Sequence, residues 1–254
     1  MAGALTLDKQ AIRRRFERAA ATYDEHSRLQ RRMAERLLAS IARRPLSILE
    51  LGCGTGYLTS LLRERFPQAA IEAVDFSPAM IARARERVPN VSFLAADIEE
   101  LEPEPEWYDL IVSNASVQWL SEPEGTLARL AESLEKKGQV CLTTFGPGTF
   151  RELDQVLAEL GHERGLRMLS LQEWETLLAG AGLHRIRARS CEERLSYPDC
   201  GAFFRSVKSS GAGYAPHPLD PGTLKETIRR YDALFPDGSG VFASYEVITL
   251  SARR

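Results

Sequence analysis

A chain of 254 residues with 44% apolar and 27% charged side chains has material for one large domain with a full core. A net charge of −2 excludes a general nucleic-acid footprint, and no apolar run approaches the roughly 18–20 residues of a membrane span. Cys53, Cys141, Cys191 and Cys200 stand at no C-x-x-C spacing, which argues against a disulfide framework or structural zinc and for a reducing, cytoplasmic setting. The opening MAGALTLDKQAIRRRF lacks the apolar core of a secretory signal. Charge is uneven: residues 1–44 hold eleven Lys/Arg against five Asp/Glu, and DIEELEPEPE (97–106) holds six carboxylates and no base. Both stretches read first as solvated faces. The basic one is also placed to steer in an acidic partner.

Residues 8–44 read as helix with two offset apolar stripes, Ile12, Phe16, Ala19, Ala20 and Tyr23, then Leu29, Met33, Leu37 and Ile41. The offset predicts a break at TYDEHS (22–27), and Pro45 ends the segment. From Ser47 the pattern alternates. Strands are predicted at 47–51, 70–75, 91–97, 108–114 and 136–145, with helices at 57–66, 77–88 and 124–134 between them. Ser77 and Pro78 are the N-cap and first residue of the second of these helices. Such alternation implies a parallel sheet covered on both faces, with right-handed crossovers. After GPGTF come two more helices, RELDQVLAEL and SLQEWETLLAGAG, and two long strands, 184–197 and 241–254. CGAFFRSVKSSGA and PGTLKETIRRYDALF form two short helices between those strands. That insertion, about 45 residues, is too small for a core of its own. The organisation reads as one domain, 1–254: a helical lid (1–45), a core (46–150) and a C-terminal part (151–254) with its insertion at about 196–240.

ILELGCGTGYLTSLL (48–62) is strand, glycine turn and helix, the order of a nucleotide-binding loop. Its spacing is G-x-G-x-G, at Gly52, Gly54 and Gly56 before Tyr57, rather than the G-x-G-x-x-G of dinucleotide folds. No Gly-Lys-Ser/Thr follows, which excludes a P-loop. Glu50 decides further. Beside pyrophosphate each unit-charge repulsion at about 4 Å costs roughly 4 kcal/mol, whereas a ligand with an ammonium and a sulfonium is welcome there. S-adenosylmethionine (SAM) is such a ligand, and its own carboxylate suits the loop N–H groups and the helix N-terminus.

Ligands of open α/β sheets sit beyond the carboxyl ends of the strands. Asp75 is therefore expected on the ribose hydroxyls, with Phe76 and Met80 sandwiching the adenine. Asp97 is expected near the adenine amino group with Ile98 alongside, and Asn114 under the methionine portion. Cys53 is read as a small residue that fits the loop.

The stretches ELGCGTG, AVDFSPAM, AADIE and YDLIVSN resemble the class I SAM-dependent methyltransferases over residues 47–145. That likeness implies a Rossmann-like α/β fold with a mostly parallel seven-stranded sheet, helices on both faces, an N-terminal helical segment and a helical insertion before the last strand. FERAAATYDEHSRLQ (16–30), NASVQWL (114–120) and FRSVKSSGA (204–212) further resemble the malonyl-acyl-carrier-protein O-methyltransferases. The resemblance implies methylation of the free carboxyl of a malonyl thioester on acyl carrier protein, the opening of pimelate synthesis for biotin. S-adenosylhomocysteine is then the second product, and neither metal, nucleic acid nor membrane is involved.

A carboxylate acceptor with a pKa near 4 is already ionised at pH 7 and needs no general base. No catalytic acid–base residue is therefore expected, and of His26, His162, His184 and His217 only His26, near Tyr23, draws notice. Arg205 and Lys208, i and i+3 on one helix, are candidates to clamp the acceptor, Arg205 on the carboxylate and Lys208 on a thioester or phosphopantetheine oxygen. Tyr23 is expected at the methionine end or on the substrate, and Gln118 and Trp119 in the acceptor pocket. Arginines 13, 14, 15, 18, 31 and 32, or 205, 229 and 230, are available to an acidic carrier protein. A methyltransferase for a free small acid, a SAM-binding protein without catalysis and a nicotinamide oxidoreductase remain rival readings; Glu50 and Tyr57 argue against the last.

Overall fold

The structure is a computed structural model that describes residues 7–41, 44–213 and 218–254. His217 lies outside the described residues. Helix α1 (Lys9–Ala19), short α2 (Tyr23–His26) and α3 (Arg28–Ser40) precede the sheet, so the break falls at TYDEHS as predicted. Then follow β1 (Ser47–Leu51), α4 (Tyr57–Arg65), β2 (Ala70–Asp75), α5 (Pro78–Arg87), β3 (Ser92–Ala95), β4 (Tyr108–Asn114), α6 (Pro123–Ser133) and β5 (Leu134–Phe145). Helices α7 (Arg151–Glu159) and α8 (Leu171–Gly180) lead to β6 (His184–Tyr197). The insertion carries α9 (Cys200–Ser209), α10 (Pro221–Leu234) and a two-residue β7 (Pro236–Asp237) before β8 (Gly240–Arg253).

The sheet runs β3-β2-β1-β4-β5-β8-β6, and β7 pairs with β8 as an eighth strand that the expected seven did not include. Pairings among β1 to β5 are parallel, whereas β8 is antiparallel to β5 and β6. Order reverses between β1 and β4, and there the strand ends part into a crevice. Alternation along β1 serves both faces: Leu49 and Leu51 pack with Leu127, Leu130, Trp174 and Leu178, while Ile48 packs with Leu37, Leu58 and Leu62. Glu50 shares the Ile48 face.

The insertion does not form a core of its own. Cys200, Phe203 and Tyr231 join Leu29 and Met33 of α3, Leu153 and Val156 of α7, and Tyr245 of β8 in one buried cluster. A ring as fully buried as Phe203 contributes about 2–3 kcal/mol, so the insertion is held by its neighbours. Ser77 caps α5 by accepting the Met80 N–H, with Pro78 at the first position as its sequence predicts.

Candidate active site

The chain leaves β1 through Gly52, Gly54 and Gly56, all left-handed, at φ +66°, +55° and +80°. Two of the three also have no room for a side chain. A Cβ on Gly52 would stand 1.9 Å from Ser116 Oγ, and one on Gly56 would stand 3.0 Å from the Ala84 backbone of α5. Beta2 pins the loop: the Cys53 N–H donates to the Val74 carbonyl and the Gly54 N–H to Asp75 Oδ2, both at 2.9 Å. From above, Thr55 Oγ1 donates to Asp24 of α2 at 2.7 Å. Cys53 is buried, and burial holds its thiol well above the ordinary range, so it fills space as expected.

Glu50 is 1% exposed, and its Oε2 has no hydrogen-bond partner. It borders a small cavity of about 40 Å³ with Tyr23, the Gly52–Thr55 turn, Tyr57 and Asn114. Burial raises its pKa to about 8; the Thr59 hydroxyl works the other way and the Asp75 charge adds to the rise. The residue taken from sequence as a standing negative charge is thus held mostly neutral at pH 7 until a cation arrives. A buried carboxyl with one free oxygen beside a glycine turn fits an ammonium ligand and repels phosphate once ionised. Tyr23 stays a phenol, because burial and the nearby Asp75 and Asp24 charges raise its pKa. Asn114 is held by Thr143 Oγ1, which donates to its Oδ1 at 2.7 Å, while its Nδ2 donates to the Gln30 carbonyl at 3.0 Å.

On the nucleoside side the expected residues are held by contacts within the protein. Asp75 is buried with a pKa raised to about 6 by burial, and it already accepts two backbone N–H bonds, from Gly54 and Ser77. Phe76 and Met80 line neither cavity: Met80 is 1% exposed in the core, and the Phe76 ring packs on Phe16 of α1 at 5.9 Å. Asp97 lies beyond the end of β3, caps a 3-10 turn that begins at Ile98, and takes the Lys9 ammonium at 2.7 Å. Lys9 also pairs with Glu99. Helix α1 therefore covers the positions assigned to the adenosine. Phe16, on the first apolar stripe, joins Tyr23, Phe76 and Trp119, while Lys9 reaches Asp97 across 88 residues of sequence.

A second cavity, about 860 Å³, opens between α2, α3, α7, β6 and the insertion. Gln30 borders both cavities. Gln118, Trp119 and Lys208 line the larger one, and so does the exposed His26. Gln118 is fixed by donating to the Ala115 carbonyl at 2.8 Å and accepting from Thr144 Oγ1 at 3.1 Å. Arg205 does not line the cavity. Its side chain is 72% exposed and stands 3.7 Å from Asp199, because the inward face of α9 is taken by Cys200 and Phe203. Sequence reading missed the aromatic wall of Phe150, Phe203 and Tyr245, and Arg164 beside it. These come from four separate segments. Among the described residues no His/Cys/Asp/Glu group is placed to hold a metal ion, and no helix is long and apolar enough to cross a membrane.

A family model described as a methyltransferase domain matches residues 48–138. Phosphoethanolamine N-methyltransferase 2 of Haemonchus contortus, solved with S-adenosyl-L-methionine, superposes with a TM-score of 0.60 at 15% identity, over 94% of this chain and 57% of that one. Strand order, the switch-point crevice and the glycine turn with its buried acid define a class I, SAM-dependent methyltransferase. Two proteins named malonyl-[acyl-carrier protein] O-methyltransferase align over almost the full length. That of Paenibacillus sp. (strain JDR-2) is 40% identical over 96% of this chain and 98% of its own, and that of Anoxybacillus flavithermus 36% over 95% and 96%. The chain belongs to the malonyl-[acyl-carrier protein] O-methyltransferase family.

Proposed function

We propose that this chain methylates the free carboxyl of a malonyl group carried as a thioester on an acyl carrier protein, in the cytoplasm, with SAM as donor, to give the methyl ester that starts pimelate and biotin synthesis. One observation carries the reading: a small glycine-lined pocket, walled by a buried acid with one unpartnered oxygen, shares the residue Gln30 with a large, aromatic-lined cavity. The small pocket suits the aminoacyl end of the donor and the large one an acyl chain on its arm.

Bound SAM supplies an electrophilic methyl group on a sulfonium. The residues of the chain do the rest. Glu50 would lose its proton and pair with the ammonium, and the N-terminus of α4, opening at Tyr57, would take the carboxylate. Asp75, Asp97, Ile98, Phe76 and Met80 would meet the nucleoside once α1 moves, and Asn114 would support the methionine portion. Tyr23, a standing hydroxyl donor, and Gln118 and Trp119 would set the acceptor oxygen in line with the methyl carbon and sulfur. The acceptor needs no base, since it is ionised; alignment and exclusion of water are the contribution.

Helices α1 to α3 act in this reading as a lid, latched by Lys9. Lys9→Ala is expected to raise the SAM association rate about two- to fivefold, the range of a partly exposed ion pair, with stopped-flow fluorescence as the measurement. An unchanged rate would mean that α1 does not limit entry.

Arg28 and Lys208 are exposed at the cavity, with no partner among the described residues, and Arg205 stands on the outer face of the same helix as Lys208. This basic rim would receive the acidic carrier protein. Lys208→Ala is expected to raise the KM for the carrier-protein substrate several-fold at low salt and much less at 0.5 M salt, with SAM affinity unchanged. Arg205→Ala should follow the same salt dependence rather than lower kcat, because the residue is too exposed to hold the reacting carboxylate.

The test of the function is mass spectrometry of malonyl-loaded carrier protein after incubation with SAM. A methyl group added to the malonyl form supports the reading. Equal turnover of free malonate would move the assignment to a small-acid methyltransferase, and tight SAM binding without methyl release to a non-catalytic protein.

A further inference from the structure

The loop between α7 and α8 places Arg164 against the large cavity with its side chain 14% exposed. Its Nη2 donates to Asp154 Oδ2 at 2.9 Å, while Nε and Nη1 are buried without any partner. A guanidinium has five N–H donors, and each one buried unpaired is destabilising. The group is nevertheless held firmly. Its central carbon stands 5.4 Å from the Phe150 ring centre, and that ring packs edge-on against Phe203 at 5.1 Å and Tyr245 at 4.8 Å. Phe150 adopts a left-handed backbone at φ +63°, a strained conformation for a non-glycine residue. Donor surplus and backbone strain thus meet at one wall of the cavity.

Two features identify the ligand. Asp154 neutralises Arg164, so the pair together favours a neutral oxygen acceptor over a second anion. The cavity, at about 860 Å³, lies in the range that holds drug-sized ligands and far exceeds a three-carbon acid. A long, uncharged chain with carbonyl oxygens along it meets both conditions, and the amide-bearing arm through which a carrier protein presents its thioester is such a chain.

We propose that Arg164 is the binding residue for the pantetheine arm, its free N–H groups donating to an amide carbonyl of the arm within the cavity. This rests on the acyl-carrier reading above, and its test is chosen to stand apart from it. The probe is S-methylpantetheine, which carries no malonyl group, titrated by calorimetry into protein loaded with S-adenosylhomocysteine. Arg164→Gln is expected to weaken its binding roughly ten- to hundredfold, the range of a hydrogen bond from a charged donor, leaving S-adenosylhomocysteine affinity unchanged. Arg164→Lys, which keeps the charge opposite Asp154, should keep wild-type Tm yet bind S-methylpantetheine about tenfold more weakly. The proposal is overturned if the wild type does not bind S-methylpantetheine, if Arg164→Lys binds it like the wild type, or if the loss appears for malonate alone, which would make Arg164 an anion site. Failure of the wild type to methylate malonyl-loaded carrier protein would remove the proposed function and leave the pantetheine titration readable.

Discussion

Glu50→Gln is expected to weaken SAM binding by at least about thirtyfold, and at the same time to make the ligand-free protein more heat-stable above pH 8. The first effect follows from removing one partner of a buried charge pair, which costs about 2–5 kcal/mol. The second follows from linkage. Glu50 is 1% exposed with a pKa near 8 in the fold, against 4.5 for the ordinary side chain. A raised folded pKa contributes stability that is complete below pH 4.5 and is lost as the pH rises through 8. At alkaline pH the empty fold carries an ionised buried acid at a cost on the order of 3–5 kcal/mol. Glutamine removes that charge, so Tm should rise by roughly 6–20 °C at pH 8.5 and hardly move at pH 5. Calorimetric titration and thermal melts at the two pH values measure both effects. The wild type should also bind SAM more tightly as pH rises from 6 toward 8, by up to about tenfold per unit, because ligand binding requires Glu50 to release its proton. Above pH 8 the gain should end, since the ligand's own ammonium titrates near there. A flat profile, with Glu50→Gln binding SAM normally, would remove the charge argument.

Gly52→Ala is expected to destabilise the fold by about 2–4 kcal/mol and to weaken SAM binding at least tenfold. The left-handed φ of +66° accounts for roughly 1–2 kcal/mol of the first figure. Steric overlap accounts for the rest: the new methyl would stand 1.9 Å from Ser116 Oγ and 2.3 Å from its Cβ, and Ser116 leads into the turn that holds Gln118 and Trp119. Gly52→Ala with Ser116→Gly should recover the steric part and leave the backbone part, about half the loss. Denaturant unfolding of the three variants measures it. Full recovery would show that φ carries no cost here, and no recovery that the overlap is relieved elsewhere.

Much of this molecule was legible residue by residue. Beta1, β2, β4 and β6 fall on their predicted spans because apolar runs bounded by glycine, proline and capping residues report local geometry. The donor loop was legible for the same reason: Glu50, Gly52, Gly54 and Gly56 lie within seven residues of one another and their backbone demands are local. The acceptor side was less so. Gln118, Trp119 and Lys208 line the large cavity, but Arg205 turns outward, since an i, i+3 spacing says that two residues are neighbours and not which way the helix faces. Lys9 and Arg164 carried no sequence signal at all. A lysine near the N-terminus and an arginine in a loop look like any solvated charge until their partners, 88 and ten residues away, are known.

What the sequence alone determined is the order of elements and the sign of charge the glycine turn accepts, because both depend on residues close along the chain. Which groups are sealed from water was decided only by the tertiary structure. It buries Glu50 until its acid is neutral, lays α1 across the positions proposed for the adenosine, and buries Nε and Nη1 of Arg164 without partners. Desolvation is the physical reason, since it depends on every segment packed around a group and not on the few residues beside it in the chain.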